Sequence, residues 1–515
     1  MKKLFFLSLV FTVSFLSCKK EESDFNNNEQ LSEVLKIRSN PFTVPQGTPF
    51  SPAEIDKLIT KKMDEENTFS WQDAPLPYLW SALVHSDNVL AVGYRPLNYI
   101  HVEKNLHLLN MEEKKWKDVR DAIIELVMDG LRKKNANITL DEVLVEDDRI
   151  LPILTFKFTD AEVLTSLYNL ENTRYIEPLG YYPSDPRFRV MSTSGCSAST
   201  EPLNSSDWTN ILPNSRVPWN YNNVNIPEAW HISQGEGIKI GVIDAGISSS
   251  QALLNGMFND GYSNVGRTVS SGYTFGSSAF TSCTHGTSMS GLAAGPRNNQ
   301  GAITGVAYKS SLHFIRGCED VVLDKSSEKT GVKNALTQMG NMTDLQIISM
   351  SIGNPFSSSV LRDGCVYAYN KGKMLLAAAG TSFGWTSWWG VVYPAAYSQC
   401  YAVTGVKENG STCGSCHKGS EVVFTIPMER NTNSSRNTLS LALSGNSPSY
   451  VGGSSCATAT AAGIAALVWS VKPSMTREDV YTCMRNTAQF YPSRNSSLGY
   501  GNLNANAAVM MAQTY

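Results

Sequence analysis

The stretch Gly452-Gly453-Ser454-Ser455-Cys456-Ala457-Thr458-Ala459-Thr460-Ala461-Ala462-Gly463, followed by the apolar run Ile464 to Trp469, decides how the rest of the chain is read. Two glycines lead into a hydroxyl residue and small residues follow it, so the hydroxyl sits where a turn passes into a buried helix. A serine placed there lies beside free backbone N–H groups and the positive end of a helix dipole, which favour a developing oxyanion. Serine alone is inert near neutral pH and calls for a base and an orienting carboxylate. Both lie upstream. His285-Gly286-Thr287-Ser288-Met289-Ser290-Gly291-Leu292-Ala293-Ala294-Gly295 opens a close-packing helix with a histidine. Gly241-Val242-Ile243-Asp244-Ala245-Gly246-Ile247 continues a β-branched run from Ile238 that reads as a buried strand delivering Asp244 at its end. Singly, each has a plainer reading: Asp-x-Gly marks many strand-end turns, a lone histidine is more often a satisfied core residue, and Ser455 reads as a helix cap. Their joint occurrence favours chemistry.

These three segments resemble the Asp, His and Ser boxes of the subtilases, the subtilisin-like serine proteases, and they occur in subtilisin's order. The resemblance runs from Trp219 to the C-terminus. Ile226-Pro227-Glu228-Ala229-Trp230 looks like the lead-in, Gly305-Val306-Ala307 and Ser311-Leu312 like the strand after the histidine helix, and Ile348 to Gly353 like the substrate-binding strand. Leu375 to Gly380, Tyr393-Pro394, Ala402 to Val406 and Gly499-Tyr500-Gly501 follow in family order. The resemblance implies an α/β fold: a subtilisin-like three-layer domain with a mostly parallel sheet over residues 217–515. It also implies a Ser-His-Asp mechanism in which His285 takes the Ser455 proton, Asp244 steadies the imidazole and an acyl-enzyme is hydrolysed by water. An extended peptide then adds to Ser351-Ile352-Gly353 as another strand. Val392 aligns with a glycine on the floor of subtilisin's primary pocket, so small or medium residues are expected before the scissile bond. Trp385, Trp388 and Trp389 on the preceding loop either rim the cleft or pack inward.

Two positions depart from the family pattern. Thr381 stands after Ala378-Ala379-Gly380 where most members have the asparagine that donates to the oxyanion; its loss in subtilisin costs about 10²–10³ in turnover. Thr381 keeps a hydroxyl donor on a shorter side chain. Ala459 replaces a proline that starts the helix, a change expected to touch stability more than chemistry.

The chain begins Met1-Lys2-Lys3, continues apolar from Leu4 to Leu16 and reaches Ser17-Cys18, the form of a signal peptide over 1–17 and too short for a membrane-spanning helix. Phe15-Leu16-Ser17-Cys18 resembles a lipobox, which would make Cys18 a lipidated first residue at the outer membrane, periplasm or cell surface; ordinary cleavage and secretion is the rival. Residues 18–94 are then a tether and helical region, with a helix over 52–65 announced by the capping box Ser51-Pro52-Ala53-Glu54. Composition is ordinary, 42% hydrophobic and 17% charged with formal charge −3, and no basic stripe points to nucleic acid.

Between 95 and 180 the pattern reads as strand (Tyr99–Glu103), helix (Met111–Leu131, with Trp116, Val119, Ile123 and Val127 inward), two strands (Glu142–Val145, Ile153–Phe158), helix (Ala161–Leu170) and strand (Arg174–Glu177). This βαββαβ order is that of an α+β ferredoxin-like domain, and Leu154 to Pro178 resembles the end of a subtilase inhibitory propeptide. A generic α+β module is the alternative. Residues 181–216, rich in Ser, Pro and Asn, form the exposed processing junction.

Ten cysteines in an exported chain suggest disulfides. Setting aside Cys18 and Cys456, which the family position makes buried and free, leaves Cys196, Cys283, Cys318, Cys365, Cys400, Cys413, Cys416 and Cys483, whose pairing the sequence does not choose. Cys413-Gly414-Ser415-Cys416-His417 matches a haem-attachment signature but has no domain around it to enclose a haem, so a small disulfide loop is expected. No metal or organic cofactor is required; structural calcium is compatible with the family, and Glu319-Asp320 lacks recognisable ligand spacing. The expected partners are a peptide or protein substrate, the chain's own propeptide as inhibitor, and a membrane through Cys18. The competing function, a binding protein on a catalytically weak subtilase scaffold, has Thr381 as its support.

Overall fold

The computed structural model describes residues 34–184, 195–381 and 390–515. The signal segment 1–17, Cys18, residues 185–194 of the junction, and Trp385, Trp388 and Trp389 lie outside the described residues.

The first unit opens with helix α1 (Pro52–Glu66), whose capping box forms as expected: the Ser51 hydroxyl accepts from Glu54 N–H and the Glu54 carboxylate accepts Ser51 N–H at 2.8 Å. There follow α2 (Leu76–Val84), β1 (Val89–Tyr94), α3 (Lys114–Arg132), β2 (Leu144–Asp147), β3 (Ile153–Lys157), α4 (Ala161–Tyr168) and β4 (Thr173–Pro178). The strands form an antiparallel sheet in the order β2-β3-β1-β4. From β1 onward this is a βαββαβ succession. Trp116, Val119, Ile123 and Val127 of α3 are buried.

Two local expectations fail. Tyr99–Glu103 is no strand; a one-turn helix, Val102–Asn105, starts within it. The first strand is Val89–Tyr94, so the unit begins ahead of the boundary set at residue 95. Flanked by β3 and β4, this strand is buried throughout and shows no alternation. At Glu142–Val145 the Thr139–Glu142 capping box nucleates one helical turn, Leu140–Val143, before the strand begins at Leu144.

The second unit holds β5 (Lys239–Asp244), β6 (Val269–Tyr273), α5 (His285–Ala294), β7 (Ser311–Arg316), α6 (Ser326–Asn341), β8 (Ile347–Met350), α7 (Ser359–Asn370), β9 (Met374–Ala378), β10 (Cys400–Lys407), β11 (Val422–Glu429) and α8 (Gly453–Val471). Seven parallel strands pair in the order β11-β10-β9-β8-β5-β7-β6. Alternation divides the core in two. Ile240, Val242, Ile347 and Leu376 face α5 and α8, while Ile243, Ile348, Leu375 and Ala377 face α6 and α7. The result is three layers. Helix α8 is apolar and long enough to cross a membrane, but here it is the buried core helix.

The first unit docks on α6 and α7. Glu177 accepts Ser359 N–H at 2.7 Å at the start of α7, and Asp87 bonds the Ser326 hydroxyl at the start of α6. Both carboxylates thus sit at positive helix ends. Arg174 and Tyr175 meet Asp363 at 3.0 and 3.1 Å, and Lys333 reaches Glu146 at 3.0 Å.

Candidate active site

Strand order runs outward from β5 in opposite directions, so the crevice at its C-terminal end is the switch point where sheets of this kind bind ligands. Asp244 ends β5 there. The first turn of α5 brings His285, the loop after β8 brings Ser351 to Gly353, the loop after β9 brings Gly380 and Thr381, and the start of α8 brings Ser454 and Ser455. His285, Ser455, Thr381, Gly353 and Val392 share one cavity of about 780 Å³.

His285 Nδ1 lies 2.8 and 2.9 Å from the Asp244 carboxylate oxygens, and both residues are buried. Asp244 also accepts Ala245 N–H at 2.8 Å. A carboxylate at Nδ1 places the proton there and leaves Nε2 as the basic nitrogen. Ser455 Oγ donates to Ser351 O at 3.5 Å, while Ser351 Oγ donates to Ser455 O at 2.9 Å. Among the described residues the Ser455 hydroxyl bonds Ser351 O and not His285; catalytic bonds of this type tighten when substrate binds.

At the start of α8 the first-turn N–H groups lack intrahelical acceptors. Ser454 N–H is taken by Thr381 Oγ1 at 2.9 Å, the two hydroxyls are 2.9 Å apart, and Ser454 Oγ accepts Gly380 N–H at 3.1 Å. Gly453, at φ +76°, makes room for this, since a Cβ there would lie 2.5 Å from Thr381 Oγ1. His417 backs the same corner: its N–H donates to Gly380 O at 2.9 Å and its ring fills the space beside Gly380. Burial holds the His417 imidazole below its ordinary pKa.

The model of the subtilase family, peptidase S8, matches residues 235–501. Thermitase of Thermoactinomyces vulgaris is 30% identical over 288 residues, 56% of this chain and 93% of thermitase. The chain belongs to the subtilase family. Subtilisin E of Bacillus subtilis is 30% identical over 297 residues, 57% of this chain and 71% of that protein. Among solved structures, a protease of Pseudoalteromonas arctica overlays at TM-score 0.47 with 22% identity, over 57% of this chain and 96% of its own. MycP1 of Mycobacterium smegmatis overlays at 0.47 with 19% identity, over 61% and 88%.

This subtilase is therefore a subtilisin-like serine endopeptidase whose substrates are peptides or proteins. Val392, expected on the floor of the primary pocket, lies in the same cavity as Gly353, its Cγ2 2.6 Å from where a Cβ on Gly353 would fall. Gly353 N–H already donates to Val321 O at 2.8 Å, and Gly353 O accepts Leu323 N–H at 2.9 Å, so the backbone expected to pair with an extended peptide has a partner.

The cysteines correct the expectation of general pairing. Cys196–Cys283 and Cys413–Cys416 are disulfides, the second being the small loop expected; Cys318, Cys365, Cys400, Cys456 and Cys483 are free and buried. Cys456 was expected to be free. The other four behave as small core apolar side chains; Cys365 and Cys400 share one packed cluster, where burial raises the Cys400 thiol. Cys413 lines the cavity, and Cys196 and Cys283 adjoin its lining residues Gly195, Ser197 and Thr284. Glu319 pairs with Lys325 and Asp320 accepts Val321 N–H at 2.6 Å, and among the described residues no group of three or more His, Cys, Asp or Glu is arranged to hold a metal ion. Sequence reasoning missed Gly195, Ser454 and His417 as parts of the site. Cys283, two residues before His285, was the one available signal.

Proposed function

We propose that Asp244, His285 and Ser455 are the catalytic triad of this endopeptidase. The observation that carries this is the buried Asp244–His285 pair, whose histidine shares one cavity with Ser455 at the switch point of the sheet. His285 Nε2 takes the proton as Ser455 Oγ attacks the peptide carbonyl and returns it to the leaving amine; water then releases the acyl group. The Ser455 N–H and the Thr381 hydroxyl receive the oxyanion. The Ser454 N–H donates to Thr381 Oγ1 and the two hydroxyls are 2.9 Å apart; with the Ser454 hydroxyl as donor, the hydrogen of Thr381 is left for the oxyanion. This wiring favours catalysis over the binding-protein reading. No cofactor takes part.

The unit expected over residues 95–180, whose first strand is Val89–Tyr94, acts as an inhibitory propeptide, so the chain is a zymogen that cuts itself in the 181–216 junction. Supporting this are the βαββαβ succession and the carboxylates of Glu177 and Asp87 on the N-termini of α7 and α6. Export with lipidation at Cys18 fits the N-terminal sequence, and any structural calcium is without an assigned site.

Intact masses of wild type and Ser455→Ala, both made without the lipid signal, test the reading. Wild type is expected to shorten to a fragment beginning between about residues 180 and 217 and to take a fluorophosphonate on Ser455. Ser455→Ala stays whole. If wild type also stays whole and unlabelled, the binding-protein reading wins.

A further inference from the structure

Within the 181–216 junction, the chain at Gly195 lies across the catalytic histidine. Gly195 O accepts the Thr284 hydroxyl at 3.1 Å, Cys196 O accepts Thr284 N–H at 3.2 Å, and Cys196 is bonded to Cys283. Three contacts thus fasten this segment to the two residues that precede His285. Gly195 presses so closely that a Cβ on it would lie 2.7 Å from His285 Cδ2 and 2.9 Å from Val321 Cγ1. Cδ2 is bonded to Nε2, the nitrogen that must face Ser455. Gly195, Ser197 and Ser199 form a wall of the catalytic cavity.

Val321, which Gly195 touches, belongs to the segment whose backbone occupies both groups of Gly353. On the far side, the Glu328 carboxylate accepts the N–H groups of Glu319, Asp320, Asp324 and Lys325 at 3.0 to 3.3 Å and fixes that segment to α6. An extended peptide adding along Ser351 to Gly353 meets two obstacles on its acyl side: the paired backbone of Gly353 and the strap over His285.

We propose that residues 195–199 are a strap that closes the acyl side of the cleft, so that the enzyme accepts little beyond the residue directly before the scissile bond while the Cys196–Cys283 bond holds. A cut anywhere in residues 181–194 frees one end of the strap. The disulfide keeps it in place, because Cys283 belongs to the body of the catalytic domain. Specificity for acyl-side length is therefore set by a segment that the disulfide retains after such a cut. The proposal rests on Ser455 and His285 being the catalytic pair.

The test uses the full chain after self-processing, wild type beside Cys196→Ser/Cys283→Ser, with peptide p-nitroanilides carrying one to four residues on the acyl side. Wild-type kcat/KM is expected to change less than about threefold across the series, and that of the double variant to rise by about thirtyfold or more, as loss of the Gly195 contact lets Val321 release Gly353 and strand addition becomes available. A wild type that already gains thirtyfold with length overturns the strap, whether or not the variant folds; so does a folded variant with the wild-type profile. If neither protein hydrolyses the one-residue substrate or takes a fluorophosphonate on Ser455, the catalytic reading fails and the strap falls with it.

Discussion

Asp244 and His285 meet at 2.8 Å inside the protein, on a central strand and a helix packed on every side, whereas Ser455 and Thr381 stand at a helix start and a loop, with the Ser455 hydroxyl turned to Ser351 O at 3.5 Å. The contrast separates two tasks. Orienting the imidazole demands rigidity, which the core supplies before any substrate arrives. Receiving an oxyanion, the task proposed for Thr381, demands donors aimed at an atom not yet present, and Thr381, Ser454 and Gly380 are hydrogen-bonded to one another.

The largest effect should come from the rigid half. Asp244→Asn keeps the shape but allows the wrong imidazole tautomer, and kcat is expected to fall about 10⁴-fold with the melting temperature little changed. A fall of tenfold or less would show that the pair is not the orienting device.

Next comes the adaptable half. Thr381→Val should lower kcat by about 10- to 100-fold with KM nearly constant, since the hydroxyl is used in the transition state. Ser454→Ala should cost about tenfold when Thr381 is intact and nothing further when combined with Thr381→Val, because it acts by aiming that hydroxyl. Equal costs in both backgrounds would make Ser454 merely structural and erase the distinction between the halves.

The smallest effect concerns the support behind Gly380. Burial lowers the His417 pKa below its ordinary 6.5, so the unfolded chain takes up a proton before the folded one does. The stability that the neutral ring contributes is full above about pH 6.5 and is lost as pH falls toward the lowered value. His417→Gln should flatten this part of the melting-temperature profile between pH 7.5 and 5 relative to wild type. Parallel profiles would remove His417 from the account.

Local pattern made much of the second unit legible. The buried run ending in Asp244, the small-residue helices after His285 and Ser455, and the Gly380-Thr381 departure are short-range signals, and each marks a strand end or helix start that the structure contains. Legibility was poorer where neighbours decide. Val89–Tyr94 shows no alternation because other strands flank it on both sides, and Leu140–Val143 turned helical through a cap that outweighed its strand-like residues. The cysteines did not divide by position alone: Cys413 and Cys456 both line the cavity, yet only Cys413 is paired.

The sequence by itself determined the parallel α/β architecture, the family, and the three candidate catalytic residues with their order, because these depend on periodicity and on motifs within a few residues. Only the tertiary structure decided that Val321 and Leu323 occupy Gly353, that Ser454 holds Thr381, and that Gly195 lies on His285 under a disulfide joining residues 87 apart. Such contacts bring together segments whose separation along the chain carries no pattern, and they exist only once the core has set the distances between them.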